Sequence, residues 1–361
     1  FKLALPLARP AIVTGLTLAL METLADYGTV QYFSVNTFTT GILRTFYGFG
    51  DVAAASQLAG VLLMFVATLI LLERYSRHRI RYHASGLKKA SNRRMALKGG
   101  RGILASAFCL VPILVGFIIP VSVLAYWGIF KADRPGANFI QLAWNSFYLA
   151  AIASMIVVSL ALVLSYAIRL NNSRSVGVSV GIAGLGYALP GTIIAIGTIV
   201  PLAWLDHRII DLVKYYSGDK VGLIFSGTLV ALLFAYTVRF MAVSLGAVQN
   251  GLGKIKPSMD MAGRSLGMSS FKVLTRIHIP LLKGSVLTAI LIVFVDVLKE
   301  LPATLVLRPF NFNTLAVRAF ELASDERLVD AAPASLMIVL VGLVPVILLS
   351  RSISSRTDYS K

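Results

Sequence analysis

One stretch of this chain occurs twice. LPLARP at 5–10 leads into METLADYG at 21–28, and IPLLKG at 279–284 leads into VDVLKELPA at 295–303. At a single offset of 274, Pro6 falls on Pro280, Thr14 on Thr288, Glu22 on Asp296 and Asp26 on Glu300. Thr40, Arg44, Phe46 and Asp51 fall on Thr314, Arg318, Phe320 and Asp325. Each copy sets two acids at helical spacing inside apolar sequence. Duplication with carboxylates at membrane depth points to a transport pathway built from two related halves.

The chain is 57% hydrophobic and 14% charged, with a mean hydropathy of +0.79, which places it among integral membrane proteins. The net charge of +18 is concentrated between apolar runs. Arg74, Arg77, Arg79, Arg81, Lys88, Lys89, Arg93, Arg94, Lys98 and Arg101 cluster with Glu73 as the only nearby acid. That is a topology signal, and without aromatic-interleaved basic surface it excludes nucleic acid as a partner. The lone Cys109 forms neither an intrachain disulfide nor a zinc site. Residue 1 is Phe and the repeat starts abruptly, so a piece of a longer protein is expected.

Runs 52–72, 102–130, 135–168, 175–205, 221–238 and 331–350 contain no Asp, Glu, Lys or Arg. Segments of about 10–30 and 284–303 are apolar apart from the acids and Lys299. A spanning helix needs about 20 such residues, so eight spans are expected in an all-α transmembrane bundle. The basic stretches 73–101, 169–174, 239–283 and the C-terminal tail then share the cytoplasmic side, and both repeats run in the same direction. Three parts are expected: residues 1–72, the last two spans of a first unit; 73–101, a basic cytoplasmic linker; and 102–361, a six-span second unit. The second unit carries a cytoplasmic loop at about 248–283.

Within that loop, MDMAGRSLGMSSFKVLTRIHIP at 259–280 has the apolar spacing of short amphipathic helices. Gly267 interrupts them, Ser269 or Ser270 is a candidate cap, and Pro280 suits the first turn of the following helix. This stretch resembles the coupling loop of ABC-importer permeases, whose pattern is Glu-Ala-Ala, three residues, Gly, nine residues, Ile, one residue, Leu-Pro. Met261-Ala262-Gly263, Gly267, Ile277 and Ile279-Pro280 fall on it at full spacing. Met261 stands in place of Glu, with Asp260 one residue earlier, and Gly263 in place of the second Ala. Further likeness in METLADYGTV, GYALPGTIIAIG and KELPATLVLRPFNFNTLAVRAFE is to fused two-unit ferric-iron permeases of bacteria.

The resemblance implies tandem parallel repeats of the ABC-importer permease fold in the bacterial inner membrane. It implies two cytosolic ATPase subunits on the coupling loops and a periplasmic binding protein that delivers the solute. ATP and Mg would bind the ATPase: this chain has no GxxxxGK[ST] phosphate loop and is not expected to be an enzyme. Permeases of the same superfamily for thiamine, sulfate, polyamine or phosphonate, and a secondary carrier, are the alternatives.

Glu22, Asp26, Asp296 and Glu300 are candidate path residues. A charged carboxylate facing hydrocarbon costs at least about 2.5 kcal/mol, so they line a path, pair with bases such as Arg44, Arg308 or Arg318, or sit at the outer interface. Glu22 and Asp296, one turn deeper, are favoured for the path. Asp26 and Glu300 are nearer the helix ends, and Lys299 is a candidate partner for Glu300. Carboxylates suit the hard ferric ion, but a path must release its cargo, so a loose lining is expected rather than a high-affinity metal site. Pro190 and Gly191, in GYALPGTIIAIG at 186–197, read as a break inside a membrane helix, either a packing kink or a hinge. His78, His83, His207 and His278 are scattered and form no metal cluster.

Overall fold

The structure, a computed structural model, describes residues 4–78, 97, 99–133, 136, 138–171, 173–218 and 222–358. Linker residues 79–96 and 98 lie outside them, as do Asp219, Lys220 and Lys361. All regular elements among the described residues are helical. In chain order they are α1 (Ala4–Ala25), α2 (Gly28–Tyr32), α3 (Phe38–Leu43), α4 (Val52–His78), α5 (Gly100–Ile113), α6 (Ile119–Phe130), α7 (Phe139–Leu170) and α8 (Arg174–Ala183). There follow α9 (Gly191–Ser217), α10 (Leu229–Leu252), α11 (Pro257–Ser265), α12 (Ser270–Val273), α13 (Ile279–Leu298), α14 (Pro302–Leu307), α15 (Leu315–Ser324) and α16 (Leu328–Asp358).

Six continuous helical stretches are long and apolar enough to cross a bilayer: Val52–Leu72, Gly100–Phe130, Phe139–Leu170, Gly191–Ser217, Leu229–Leu252 and Ser270–Leu298. Two shorter apolar helices, Gly15–Ala25 and Leu328–Val344, occupy the other two expected positions. The chain is a multi-pass membrane protein. The duplication is visible in the element order, because the offset that aligns the sequences lays α1, α2, α3 and α4 onto α13, α14, α15 and α16.

The core is a three-helix contact of α7, α10 and α13, made largely of small residues that let backbones approach. Ala150, Ala153 and Val157 of α7 meet Ala231, Ala235 and Tyr236 of α10 and Val293 and Val297 of α13. A separate cluster fastens the first repeat to α9, with Ile42, Ala55, Ala59, Leu62 and Val66 against Ile193 and Ile196.

Three expectations change. The basic segment does not leave the bilayer at 239: α10 runs on to Leu252 through the apolar stretch FMAVSLGAV, which puts Arg239 in mid-span. Pro190 is not inside a helix. It is the N-cap of α9 (φ −54°, ψ 143°), after a 3₁₀ turn at Gly186–Ala188 that follows α8. Its carbonyl accepts from the Ile193 and Ile194 amides at 3.0 and 3.2 Å, and its missing N–H breaks no ladder there. Pro280 does not open a new helix. α12 and α13 are continuous through a π turn at Leu274–His278, and an identical arrangement, a π turn at Leu114–Ile118, precedes Pro120. The wider turn accommodates a ring that an α-helical ladder excludes.

Candidate functional site

All four repeated acids open onto one cavity of about 670 Å³. Its lining includes Glu22 and Asp26 from the first repeat, Asp296 and Glu300 from the second, and Tyr187, Arg239 and Lys299. Each repeat contributes through the same local break. α1 stops at Ala25 before Gly28 opens α2, and α13 stops at Leu298 before Pro302 opens α14. The two breaks touch: a Cβ added to Gly28 would lie 3.3 Å from Leu301 Cδ2, and Tyr27 packs on Phe320 at 5.4 Å between ring centroids. Tyr47 donates to the Leu305 carbonyl at 2.6 Å, a further tie between repeats.

The acids differ in environment. Glu300, expected near the outer mouth, is the most buried of the four at 6% exposure. Its partner is Arg239, whose Nε lies 3.3 Å from Oε2, while Oε1 accepts from the Ala303 amide at 3.1 Å. Lys299, a candidate partner for Glu300, instead reaches Asp296 at 3.1 Å. Arg308 and Arg318 pair with Glu321 rather than with the repeated acids. Asp26 Oδ1 accepts from the Thr29 amide at 3.4 Å, in the first turn of α2, whereas Glu22 is exposed to the cavity and has no ion-pair partner among the described residues. Below the ion pair, Thr304 donates to the Glu300 carbonyl at 2.7 Å, which leaves Tyr236 to donate to Thr304 at 2.5 Å.

The Gly-rich sequence before α9 serves this pair. A Cβ on Gly191 would lie 2.5 Å from Arg239 Nη1 and 2.6 Å from Glu300 Oε1. One on Gly186 would lie 1.8 Å from the Val238 carbonyl oxygen. Only residues without a side chain admit α10 this closely. Sequence reasoning missed Arg239 and Tyr187; an arginine flanked on both sides by apolar residues was the available signal for the first.

At the other end of α13 lies an elbow formed by α11 and α12. Gly267 adopts φ +75°, and the Gly267 and Met268 amides donate back to the Arg264 and Gly263 carbonyls at 2.9 and 3.0 Å, closing α11 in a Schellman turn. Ser269 caps α12 by accepting from the Lys272 amide. A Cβ on Gly263 would meet Val273 Cγ2 at 3.0 Å and Ile277 Cδ1 at 3.2 Å, the contact that draws α11 against the next helix. Asp260 faces inward, 2.8 Å from Arg169 Nε and 2.5 Å from His278 Nε2. Arg169 also donates to the Leu252 and Ile255 carbonyls, and Tyr166 donates to the Ser270 carbonyl at 2.7 Å, so the end of α7 fastens the elbow. Met259, Met261, Ala262, Leu266 and Phe271 are exposed on its outer side. At 1.5 Å per residue, the 17 residues from Ile279 to Asp296 put about 25 Å between elbow and cavity.

A chain of a bacterial alginate ABC transporter, solved with its oligosaccharide-bound periplasmic protein, superposes with a TM-score of 0.53 over 69% of this chain and 91% of that one, at 14% identity. This chain shares the fold of that ABC-transporter chain. No family model matches it. It is 25% identical over 354 residues to the Fe(3+)-transport system permease protein FbpB 2 of Haemophilus influenzae, covering 96% of its own length and 66% of that protein. It is 24% identical over 331 residues to the ferric transport system permease protein FbpB of Actinobacillus pleuropneumoniae, covering 84% of its own length and 44% of that protein. The chain thus spans less than two thirds of the length of these curated relatives. Met261-Ala262-Gly263, Gly267, Ile277 and Pro280, on which the coupling-loop resemblance rested, lie in the elbow and at the start of α13.

Proposed function

We propose that the chain is the membrane subunit of an ABC importer and forms the translocation path for ferric iron in the bacterial inner membrane. The observation that carries this reading is the meeting of four repeated carboxylates, two from each half, in one cavity across the bilayer from the elbow. Carboxylates outnumber bases there, four against Arg239 and Lys299, so the cavity favours a cation over sulfate or a phosphonate. Oxygen donors suit ferric iron, and the ferric permeases among the relatives support that cargo over thiamine or a polyamine. A path must release its cargo, so the reading takes the acids as a loose lining rather than a tight cage.

In this reading two cytosolic ATPase subunits supply the energy and bind ATP and Mg, and a periplasmic binding protein delivers the ion to the outer face. The chain itself performs no chemistry. One ATPase docks on the elbow through the apolar surface of Met259, Met261, Leu266 and Phe271, while Asp260 holds the elbow to the membrane helices. The test is uptake into proteoliposomes by the full-length permease assembled with its ATPase and binding protein. Glu22→Gln combined with Asp296→Asn lowers ferric uptake by roughly tenfold or more, the scale of electrostatic focusing in a charged cleft, with ATPase co-purification retained. Wild-type uptake by the correctly inserted double variant would remove these acids from the path.

A further inference from the structure

Arg239 is the least expected residue of the permease. An arginine at mid-span is costly, and its nearest anionic partner is held by one contact at 3.3 Å rather than by a paired fork. Its Nη1 is buried and has no hydrogen-bond partner. The side chain is 12% exposed, flanks the Phe240 ring at 5.8 Å and lines the cavity beside Glu300. A guanidinium with five donors placed only to neutralise Glu300 would be expected to fill more of them. The acids are also unequal: both acids of the second repeat carry a basic partner, Asp296 with Lys299 and Glu300 with Arg239, whereas Glu22 carries none.

We propose that Arg239 is a tethered counter-cation that occupies Glu300 when the path is empty, is displaced by the incoming cation, and returns to Glu300 to release it. This rests on the transport reading above and adds a residue and a step to it. The loose contact lets a trivalent ion compete for Glu300, because the ion gains a carboxylate while Arg239 loses a single ion-pair contact at 3.3 Å. The displaced guanidinium stays within the cavity, since the α10 backbone is pinned against Gly186 at Val238. Its positive charge then opposes the bound ion and limits its residence. No covalent or redox step is involved.

The experiment uses the full-length permease with its ATPase and binding protein in lipid nanodiscs and proteoliposomes, with gallium(III) as a redox-inert probe. Three quantities are read: ferric uptake, gallium retained by the permease, and cargo-free ATP hydrolysis. In Arg239→Gln, retained gallium rises by roughly 10- to 1,000-fold, the range over which one nearby charge moves the ion affinity of a carboxylate, while uptake falls. Arg239→Lys keeps a tethered cation and recovers most of the uptake. Arg239→Gln with Glu300→Gln removes both charges and returns retention to the wild-type level or below. A merely structural pair would instead lose uptake and retention together in Arg239→Gln, and that outcome overturns the proposal. Should Arg239→Gln fail to insert, the double variant and Arg239→Lys decide: gallium retention above wild type in the double variant, or no recovery in Arg239→Lys, refutes it. Absence of ferric uptake by the wild-type assembly would count against the transport reading itself, not against the role of Arg239 alone.

Discussion

Gly191→Ala adds one carbon at the most constrained point beside the cavity. The new Cβ would sit 2.5 Å from Arg239 Nη1, 2.6 Å from Glu300 Oε1 and 3.4 Å from the Ala303 amide nitrogen. The first two separations are about 1 Å inside ordinary contact distance, so either the ion pair opens or α9 moves. Overpacking a tight site costs about 1–3 kcal/mol, and full loss of one partner from a buried pair costs about 3–5 kcal/mol. Since α10 is also held at Gly186, the expected destabilisation is about 2–4 kcal/mol, between these limits. Gly197, two turns further along α9, provides the control. A Cβ there meets nothing within 4 Å, and Gly→Ala in a helix interior stabilises by about 0.5–1 kcal/mol. Reversible unfolding of the purified protein in mixed micelles measures both, with uptake assayed in parallel. Equal stabilities for Gly191→Ala and Gly197→Ala would refute the claim that the glycine exists to admit the Arg239–Glu300 pair.

Two further predictions concern the elbow. Gly267→Pro imposes φ near −65° where the chain adopts +75° and removes the amide that bonds Arg264, so the Schellman turn is lost at about 3 kcal/mol or more. Deletion of 262–268 removes the same turn. Assembled with the ATPase, both variants should permit ATP hydrolysis without moving cargo, and normal uptake by either would remove the docking role of the elbow. Asp260→Asn leaves Arg169 without its carboxylate and should cost about 3–5 kcal/mol if the site behaves as fully buried, less because Asp260 is 20% exposed. Hydrogen exchange should then accelerate across 257–278 and not in the core around Ala150 and Ala235, and uniform protection would contradict the fastening role of Asp260.

The helices, the duplication and the elbow were legible because they rest on repeating signals: charge-free runs, one offset shared by eight residue pairs, and a glycine where a left-handed turn is needed. The ion pairs were not. Spacing of four puts acids on one helix face only while the helix continues, and both α1 and α13 end between their two acids. Pro302 carried a hint of the second break, because proline lacks the N–H an interior helical position needs and is favoured in a first turn. Arg239 was hidden by a rule that works on average: a base next to a basic loop reads as the start of that loop. The sequence beyond it stays apolar enough to continue the span, and only the fold reveals the carboxylate opposite. Asp260, grouped with the docking residues from its place in the loop, turns inward because Arg169 and His278 are there to receive it.

The π turn ahead of Pro280 has a mechanical meaning. Because Ser270 to Leu298 is one unbroken rod, a push on the elbow is not absorbed by a flexible joint before it reaches the cavity. The single place where the rod's hydrogen bonding departs from the regular ladder is Leu274–His278, at the elbow end. A tilt of about 10° about that point would carry the Asp296 end sideways by roughly 4 Å over a 25 Å arm, close to the radius of a hydrated ion. Proline and π turn together place the pivot at the elbow end and leave the stiff arm along the apolar span.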